Sequence, residues 1–439
     1  MKAWRNAVFL LAVTPAAVWA ASSQAPVQTP SQARQALTLQ DAERIAIQNH
    51  PRIHAAIASA AAAKAQVVEQ RAAYYPTVSG DATGVDAENN SRITAGGLNS
   101  PRVFEKYGNG IDVSQLITDF GRTHELVKSS NLNMKAANED VVTSREDVLL
   151  GVDQAYYAVL KAQAVLKVAQ QTVKERQTVS DQVTTLEQNK IKSGLDVSFA
   201  NVNLAQSQLL LIQAQNGVDG AYAQLSEALG YRDQRTFQLA DVPVPPAPPP
   251  FAGLLQEALQ NRPELASQRL RAGAAHSYAI AERDLWFPTL TAAGTAGLSP
   301  FVPGGTLDSP RYAAAGFNLN IPIFNGHLYG ALRNQANEQA RAEDDYLLDL
   351  ENRISRDLRL AWLNANSAFQ RLAVTQQLLN EANEALELSQ SRYKLGLSSI
   401  VELTQAQLYQ TQAQIDWASA RYEYETQMSL LDFQLGDLR

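Results

Sequence analysis

Val148, Val152, Ala155, Val159, Ala162, Leu166, Ala169 and Val173 recur at alternating steps of four and three residues. That spacing is the seam of a coiled coil, and it commits this stretch to one long helix packed against others. The pattern returns as Ile354, Leu358, Ala361, Ala365, Ala368, Leu372, Leu379, Ala382 and Leu386, with only Thr375 intruding. Each seam runs into a short tip, Lys192-Ser193-Gly194-Leu195-Asp196-Val197-Ser198 in the first case and Arg392-Tyr393-Lys394-Leu395-Gly396-Leu397-Ser398-Ser399 in the second. The expectation is that Gly194 and Gly396 each supply the positive-φ step that ends a helix. A Ser or Asp just after should cap the helix that returns. In the first half the returning seam is read as Val202, Ala205, Leu209 and Ile212, ending at Leu229-Gly230.

The punctuation repeats as well. Asn49-His50-Pro51 is echoed by Asn261-Arg262-Pro263, and Tyr75-Pro76-Thr77 by Phe287-Pro288-Thr289, both at an offset of 212 residues. A residue before proline avoids the α region, so each Asn-X-Pro breaks a helix. Thr38 with Asp41 three residues on has the spacing of a capping box. After Pro76 and Pro288 the period changes to two, as in a strand. Strands are expected over Thr77–Gly84, Gly110–Leu116, Thr289–Leu298 and Ala315–Ile323, with Gly-rich or Pro-rich loops inside each pair, the first from about Asp86 to Lys106. Leu290, Ala292, Ala296, Phe317, Leu319 and Ile321 fall on one face, and Thr, Asn and Asp on the other.

The expected organisation is a signal peptide at 1–20, a mobile segment at 21–36 and a first repeat at 37–242. A stiff polyproline linker at 243–250 then leads to a second repeat at 251–439. The leader reading rests on Lys2 and Arg5, an apolar run from Ala7 to Val13, and the small-residue site Val18-Trp19-Ala20. A docking PxxP ligand is the alternative for Pro243–Pro250. The chain has no cysteine, which leaves no disulfide, thiol or Cys-based metal chemistry and no lipid anchor after the cleavage site. The formal net charge is −7, which argues against nucleic acid as a partner. No apolar run reaches the roughly 18 residues of a membrane-spanning helix.

Counting gives the size. Gly121 to Gly194 spans 73 residues and Gly326 to Gly396 spans 70, about 105–110 Å of helix each. The shorter helices before the strands and after the tips should stack end to end beside each long one. Four strands cannot close on themselves, since closed barrels begin at about eight. Edges left open are prohibitive in lipid. The chain should therefore be an oligomer, and three copies supply twelve strands. The fold class read from the residues is mainly α with a small β part: duplicated coiled-coil hairpins plus four strands per chain.

Catalytic patterns are missing. His50 and His54 are four apart but straddle a helix start, and surface polarity outweighs a metal site there. No cofactor is expected, and no enzyme. Tyr74, Tyr75, Trp286 and Phe287 cluster where helix meets strand, as an interfacial belt would or as junction packing. Asp196 and Glu402 read as cap residues, which become rings of negative charge if the tips converge in an oligomer.

The duplicated plan, the Asn-X-Pro break, the Pro-Thr strand entry, Asn320-Ile321-Pro322-Ile323-Phe324-Asn325-Gly326 and Arg392-Tyr393-X-X-Gly396 resemble the TolC family of outer-membrane efflux proteins, from Leu37 to Gly436. The resemblance implies a homotrimer in outer-membrane lipid, in which four strands per chain complete a 12-stranded trimeric transmembrane β-barrel, continued by a helical tunnel across the periplasm. It also implies docking to a periplasmic adaptor protein and an inner-membrane pump, for small-molecule efflux or type I secretion. On this reading Gly194, Leu195, Gly396, Leu397 and Ser398 form the docking tips, Asp196 and Glu402 the entrance constriction, and Pro76 and Pro288 the helix-to-barrel junctions. Some members tie the entrance shut with Arg and Asp; Ser398, Glu402 and Gln405 stand at those positions here. The rival is a periplasmic coiled-coil adaptor or scaffold without a barrel.

Overall fold

The computed structural model describes residues 36–85, 92–95, 98–102, 106–299 and 311–438. The leader, all but the last residue of 21–36, and the stretch 300–310 lie outside the described residues. Twelve elements follow one another in matching order. In the first half come α1 (Leu39–Asn49), α2 (Pro51–Arg71), β1 (Thr77–Val85), β4 (Lys106–Thr118), α3 (Arg122–Gln188) and α4 (Gly194–Ala228). In the second come α5 (Leu254–Asn261), α6 (Pro263–Arg283), β5 (Thr289–Leu298), β6 (Arg311–Asn320), α7 (Leu328–Lys394) and α8 (Ile400–Leu435). Between β1 and β4 the expected loop carries a small hairpin, β2 (Arg92–Ala95) with β3 (Leu98–Arg102). Its Gly/Asn content hid the short strands.

Local chemistry sets the boundaries. Thr38 accepts the Asp41 amide at 3.1 Å and donates its hydroxyl to the Asp41 carboxylate at 2.7 Å, which starts α1. Pro51 and Pro263 open α2 and α6, and the residues before them are extended, His50 at ψ 123° and Arg262 at ψ 120°. The long helices α3 and α7 have 67 residues each, about 100 Å of rise. α2 and α4 pack on α3, and α6 and α8 on α7; α6 and α8 also bind α3, which joins the halves. The end-to-end joints are glycines. A Cβ on Gly230 would stand 2.9 Å from the Asn49 carbonyl oxygen, and one on Gly436 3.0 Å from the Asn261 carbonyl carbon. Each returning helix thus stops against the Asn-X-Pro break that starts the helix above it.

Most of the seams pack as their spacing predicts. Val148, Val152, Ala155, Val159 and Ala169 are buried, as are Ile354, Leu358, Ala361, Ala365, Ala368, Ala382 and Leu386. Thr375 is buried too and donates its hydroxyl to the Arg371 carbonyl at 2.8 Å, so the intruder costs no unpaired group. Toward the first tip the stripe on α3 shifts from Val173 to Thr172, Arg176, Ser180 and Val183.

The expectation for α4 fails. Val202, Leu209 and Ile212 are 53 to 62% exposed, and the buried positions are Ala200, Asn203, Ser207, Ala214 and Ala221. Here α4 sits against both α3 and α8, and close approach selects small side chains over large ones. The large ones form a separate stripe with no partner within the single chain.

Where the joints meet, a waist forms. The proline spacer has no N–H groups at its prolines, and two of its carbonyls are taken up by side chains of α7 and α8. Trp362 donates its indole N–H to the Pro249 carbonyl at 2.8 Å, and the Tyr424 hydroxyl donates to that of Pro246. The Tyr156 hydroxyl lies 2.8 Å from the Leu37 carbonyl and 2.7 Å from that of Ala240, tying both strands of a short bridge to α3.

The main sheet is antiparallel in the order β1-β4-β5-β6, leaving β1 and β6 as edges. Its register aligns Gly80, Ile111, Ala296 and Ala313, Val78 with Val113, Ala292 with Phe317, and Leu290 with Leu319. The alternate rows carry Ser79, Asp112, Thr295 and Ala314, and Thr291 with Asn318. One face is apolar and the other largely polar. β6 ends at Asn320, short of the expected Ile323, because Pro322 cannot donate to a ladder. Among the described residues no helix is long and apolar enough to cross a membrane.

Candidate functional site

The two tips of the hairpins are built on one kind of turn filled by different residues. At the second, Gly396 takes φ +72° and its neighbour Leu397 donates to the Arg392 carbonyl at 2.8 Å, as the sequence leads one to expect. Ser399 then caps α8 by accepting the Glu402 amide at 3.3 Å. At the first tip the left-handed residue is Lys190, at φ +59°, not Gly194. Ile191 donates back to Leu186 at 2.9 Å, which closes the same six-residue loop earlier. Gly194 is the first residue of α4, and the cap precedes it. Ser193 accepts the Asp196 amide while the Asp196 carboxylate takes the Ser193 N–H at 2.9 Å, a complete capping box. At both tips the cap follows the left-handed residue by three positions, Lys190 to Ser193 and Gly396 to Ser399, so the loops match and only their residues differ; Gly194 stands past the cap, at the first position of the helix.

These backbones respond differently to a methyl group. Nothing lies within 4 Å of a Cβ at either glycine, so only conformation decides. Gly396→Ala is expected to cost about 1–2 kcal/mol of local stability, whereas Gly194→Ala is neutral or stabilises by up to about 0.5 kcal/mol. Hydrogen exchange of the tip amides reads both; equal loss of protection would contradict the turn assignment.

The tips touch. Val183 and Ala200 join Leu386, Tyr393, Ile400, Leu403 and Ala406 in one cluster, with Val197 and Phe199 at its border. Asn203 donates to the Thr404 hydroxyl at 2.9 Å. The Lys192 ammonium lies 3.9 Å from the centre of the Tyr393 ring. Burial, with the Asp196 charge adding to it, pushes the Tyr393 hydroxyl up to about 12. Leu195 and Leu397, each 65% exposed, project from this paired end, and Ser398 is half-buried beside them. Glu402 is not a lone acid, because Arg392 holds its carboxylate at 3.2 Å. Sequence reading placed Lys192, Arg392 and Tyr393 in the tips but gave them no part in joining them. Stepping seven residues on from Leu386 reaches Tyr393, so the seam itself carried that signal.

Pro76 and Pro288 stand at the other end of the long helices. Each follows a short 3₁₀ turn, Ala72–Tyr74 or Asp284–Trp286, and begins a strand. Tyr74, Tyr75, Trp286 and Phe287 are all substantially exposed there, Trp286 packing edge-on to Tyr329 at 5.8 Å. The residues the sequence singled out thus fall into two sites at opposite poles.

The sequence profile of a family described as outer membrane efflux protein matches residues 44–231 and 254–437. The chain belongs to that family. Membership makes it an outer-membrane efflux channel reaching into the periplasm. Among curated relatives of this efflux family, TolC of Escherichia coli K12 is 24% identical over 416 residues, covering 89% of this chain and 80% of TolC. The pyoverdine export outer membrane protein OpmQ of Pseudomonas aeruginosa is 25% identical over 315 residues, covering 70% of this chain; the chain spans 65% of OpmQ. The crystal structure of the outer membrane protein VceC from Vibrio cholerae superimposes with a TM-score of 0.78 at 17% identity, covering 91% of this chain and 96% of that one. It has the same fold.

Proposed function

We propose that three copies of this efflux-family chain form a passive exit duct, in which the sheets close a twelve-stranded barrel and the hairpins form a tunnel below it. The observation that carries this is the two-faced sheet with both edges open. A sheet of four strands with an apolar face cannot enter lipid with its edges unpaired, and three of them reach a closable number. A periplasmic scaffold, the other reading, has no use for a sheet whose outward residues include Phe317, Leu319 and Ile111. The repeats then divide at 37–242 and 251–439, joined by the linker at 243–250.

The tips carrying Gly194, Leu195, Gly396, Leu397 and Ser398 dock a periplasmic adaptor, through which an inner-membrane pump feeds the duct. The Tyr74, Tyr75, Trp286 and Phe287 girdle beside Pro76 and Pro288 marks the inner boundary of the bilayer. The pump selects the cargo, either small molecules in a tripartite efflux system or a polypeptide in type I secretion. At the entrance Glu402, with Asp196 nearer the end, lines a constriction that prefers cations. Its pairing with Arg392 weakens each negative charge without cancelling the ring.

Single-channel recording in planar bilayers tests this. The protein should conduct, prefer cations and be blocked by multivalent cations from the tip side, and Glu402→Gln should reduce both preference and block. Conduction with selectivity identical in the two proteins would remove Glu402 from the pore. Absence of conductance would remove the duct.

A further inference from the structure

Two glycines stand side by side on the central strands of the sheet. Gly110 on β4 lies opposite Gly297 on β5, and Gly297 lies opposite Tyr312 on β6. On its other side Gly110 faces Asp81 of β1. Neither glycine has a positive φ, so the backbone does not call for them. A glycine inside a strand marks a close approach by something else, and here that is the tyrosine. A Cβ on Gly110 would run into the Tyr312 hydroxyl, with the ring carbon that bears it 3.3 Å away. One on Gly297 would stand 2.6 Å from the same hydroxyl. The Tyr312 side chain therefore lies down across β5 toward β4, in the space that two side chains would fill. It is 42% exposed, as befits a ring with one face against a wall.

The row of Asp81, Gly110, Gly297 and Tyr312 lies two residues beyond that of Ser79, Asp112, Thr295 and Ala314. It has the same parity and so belongs to the polar face. In the duct proposed above, on which this rests, that face lines the lumen. The row is also far from Pro76 and Pro288, next to the last pair of β5 and β6, Leu298 with Arg311. That places it at the outer mouth, where the symmetry of the trimer sets one Tyr312 from each chain at a single level. We propose that Tyr312 sets the bore of this mouth for bulky cargo, and that the glycine pair keeps the mouth wide by giving the ring a seat against the wall.

The surroundings leave the ring little choice. Toward the helices the same face carries Asp112 and Thr295. Toward the outer end Ser299 sits over Gly108, its hydroxyl 3.8 Å from where a Cβ on that glycine would be. A ring displaced from its seat is left with the open side, the lumen. The two glycines differ in what else a methyl group would meet. On Gly297 it would also strike the Asn109 carbonyl oxygen, which is backbone. On Gly110 the nearest backbone atom is the Ala296 carbonyl oxygen at 3.1 Å. Gly110→Ala therefore acts on the tyrosine and asks little of the sheet.

The chain has no cysteine, so a single reporter thiol is read without background. Ser114→Cys places one on the polar face of β4, four residues nearer the helices than Gly110. Intact cells are treated from outside with two impermeant reagents, a small charged methanethiosulfonate and a maleimide on a short polyethylene glycol. Added to the reporter, Gly110→Ala should slow the bulky reagent several-fold and leave the small one near its original rate. Tyr312→Ala on top of it should restore the bulky rate, and Tyr312→Ala alone should change neither, because the ring already lies out of the way. An unchanged bulky rate in Gly110→Ala, a loss that survives removal of the ring, or a large gain from Tyr312→Ala alone overturns the proposal. If Gly110→Ala fails to assemble, rescue of assembly by Tyr312→Ala supports the seat and its absence overturns it, since only a clash with the ring predicts rescue. A reporter that neither reagent reaches would remove the duct itself, and the mouth with it.

Discussion

Gly194→Trp is expected to abolish pump-dependent export while the chain still folds, inserts and assembles. Gly194 has helical backbone, and a Cβ there meets nothing within 4 Å, so the position accepts a side chain without backbone strain. The indole would stand beside Leu195 at the extremity of the paired tips, where the docking partner must approach. A clash worth about 3 kcal/mol lowers affinity roughly a hundredfold. Gly396→Trp does not test docking as cleanly, because its φ of +72° adds backbone strain. Export is measured as resistance to a pumped compound, alongside the amount of chain in the outer membrane. Parental export by Gly194→Trp at parental abundance would show that the tips are not the docking surface.

The barrel reading makes an equally sharp demand. Leu319 is paired with Leu290 on the apolar face, and its chain neighbour Asn318 with Thr291 on the other. An arginine at mid-bilayer on a lipid-facing strand position costs about 2–4 kcal/mol, and a trimer incurs it three times. Leu319→Arg should therefore drastically reduce assembled protein in the outer membrane, and Asn318→Arg should leave it near the parental level. The readout is the fraction of chain recovered as trimer from isolated outer membranes. Equal recovery of the two would mean that the faces have been assigned the wrong way or that the sheet does not meet lipid.

Helices and strands were legible because their periods extend over many residues. A seam such as Ile354 to Leu386 repeats often enough to fix both the helix and its buried stripe. Strand faces were legible for the same reason, since Phe317 and Leu319 alternate with Asn318 and Asn320. The stripe on α4 was misread because hydrophobicity was taken as the sign of burial. In a chain that leaves surface for neighbours, Val202 and Leu209 are large and outward while Ala200 and Ser207 are small and inward. At the candidate site, Gly396 was read correctly and Gly194 was not. A glycine marks a left-handed turn only when it falls on the turn position itself; at the first tip Lys190 holds that position and Gly194 lies four residues on.

The open edges of β1 and β6 also bear on timing. In the three-chain duct proposed above, each chain would deliver a third of a wall whose ends go unpaired until two neighbours arrive, which would make insertion and association a single event rather than successive ones. The rate of that event depends steeply on how many chains are waiting in the periplasm. Halving the supply should cut the yield of finished ducts by more than half. Expression alone would then regulate such an exit abruptly.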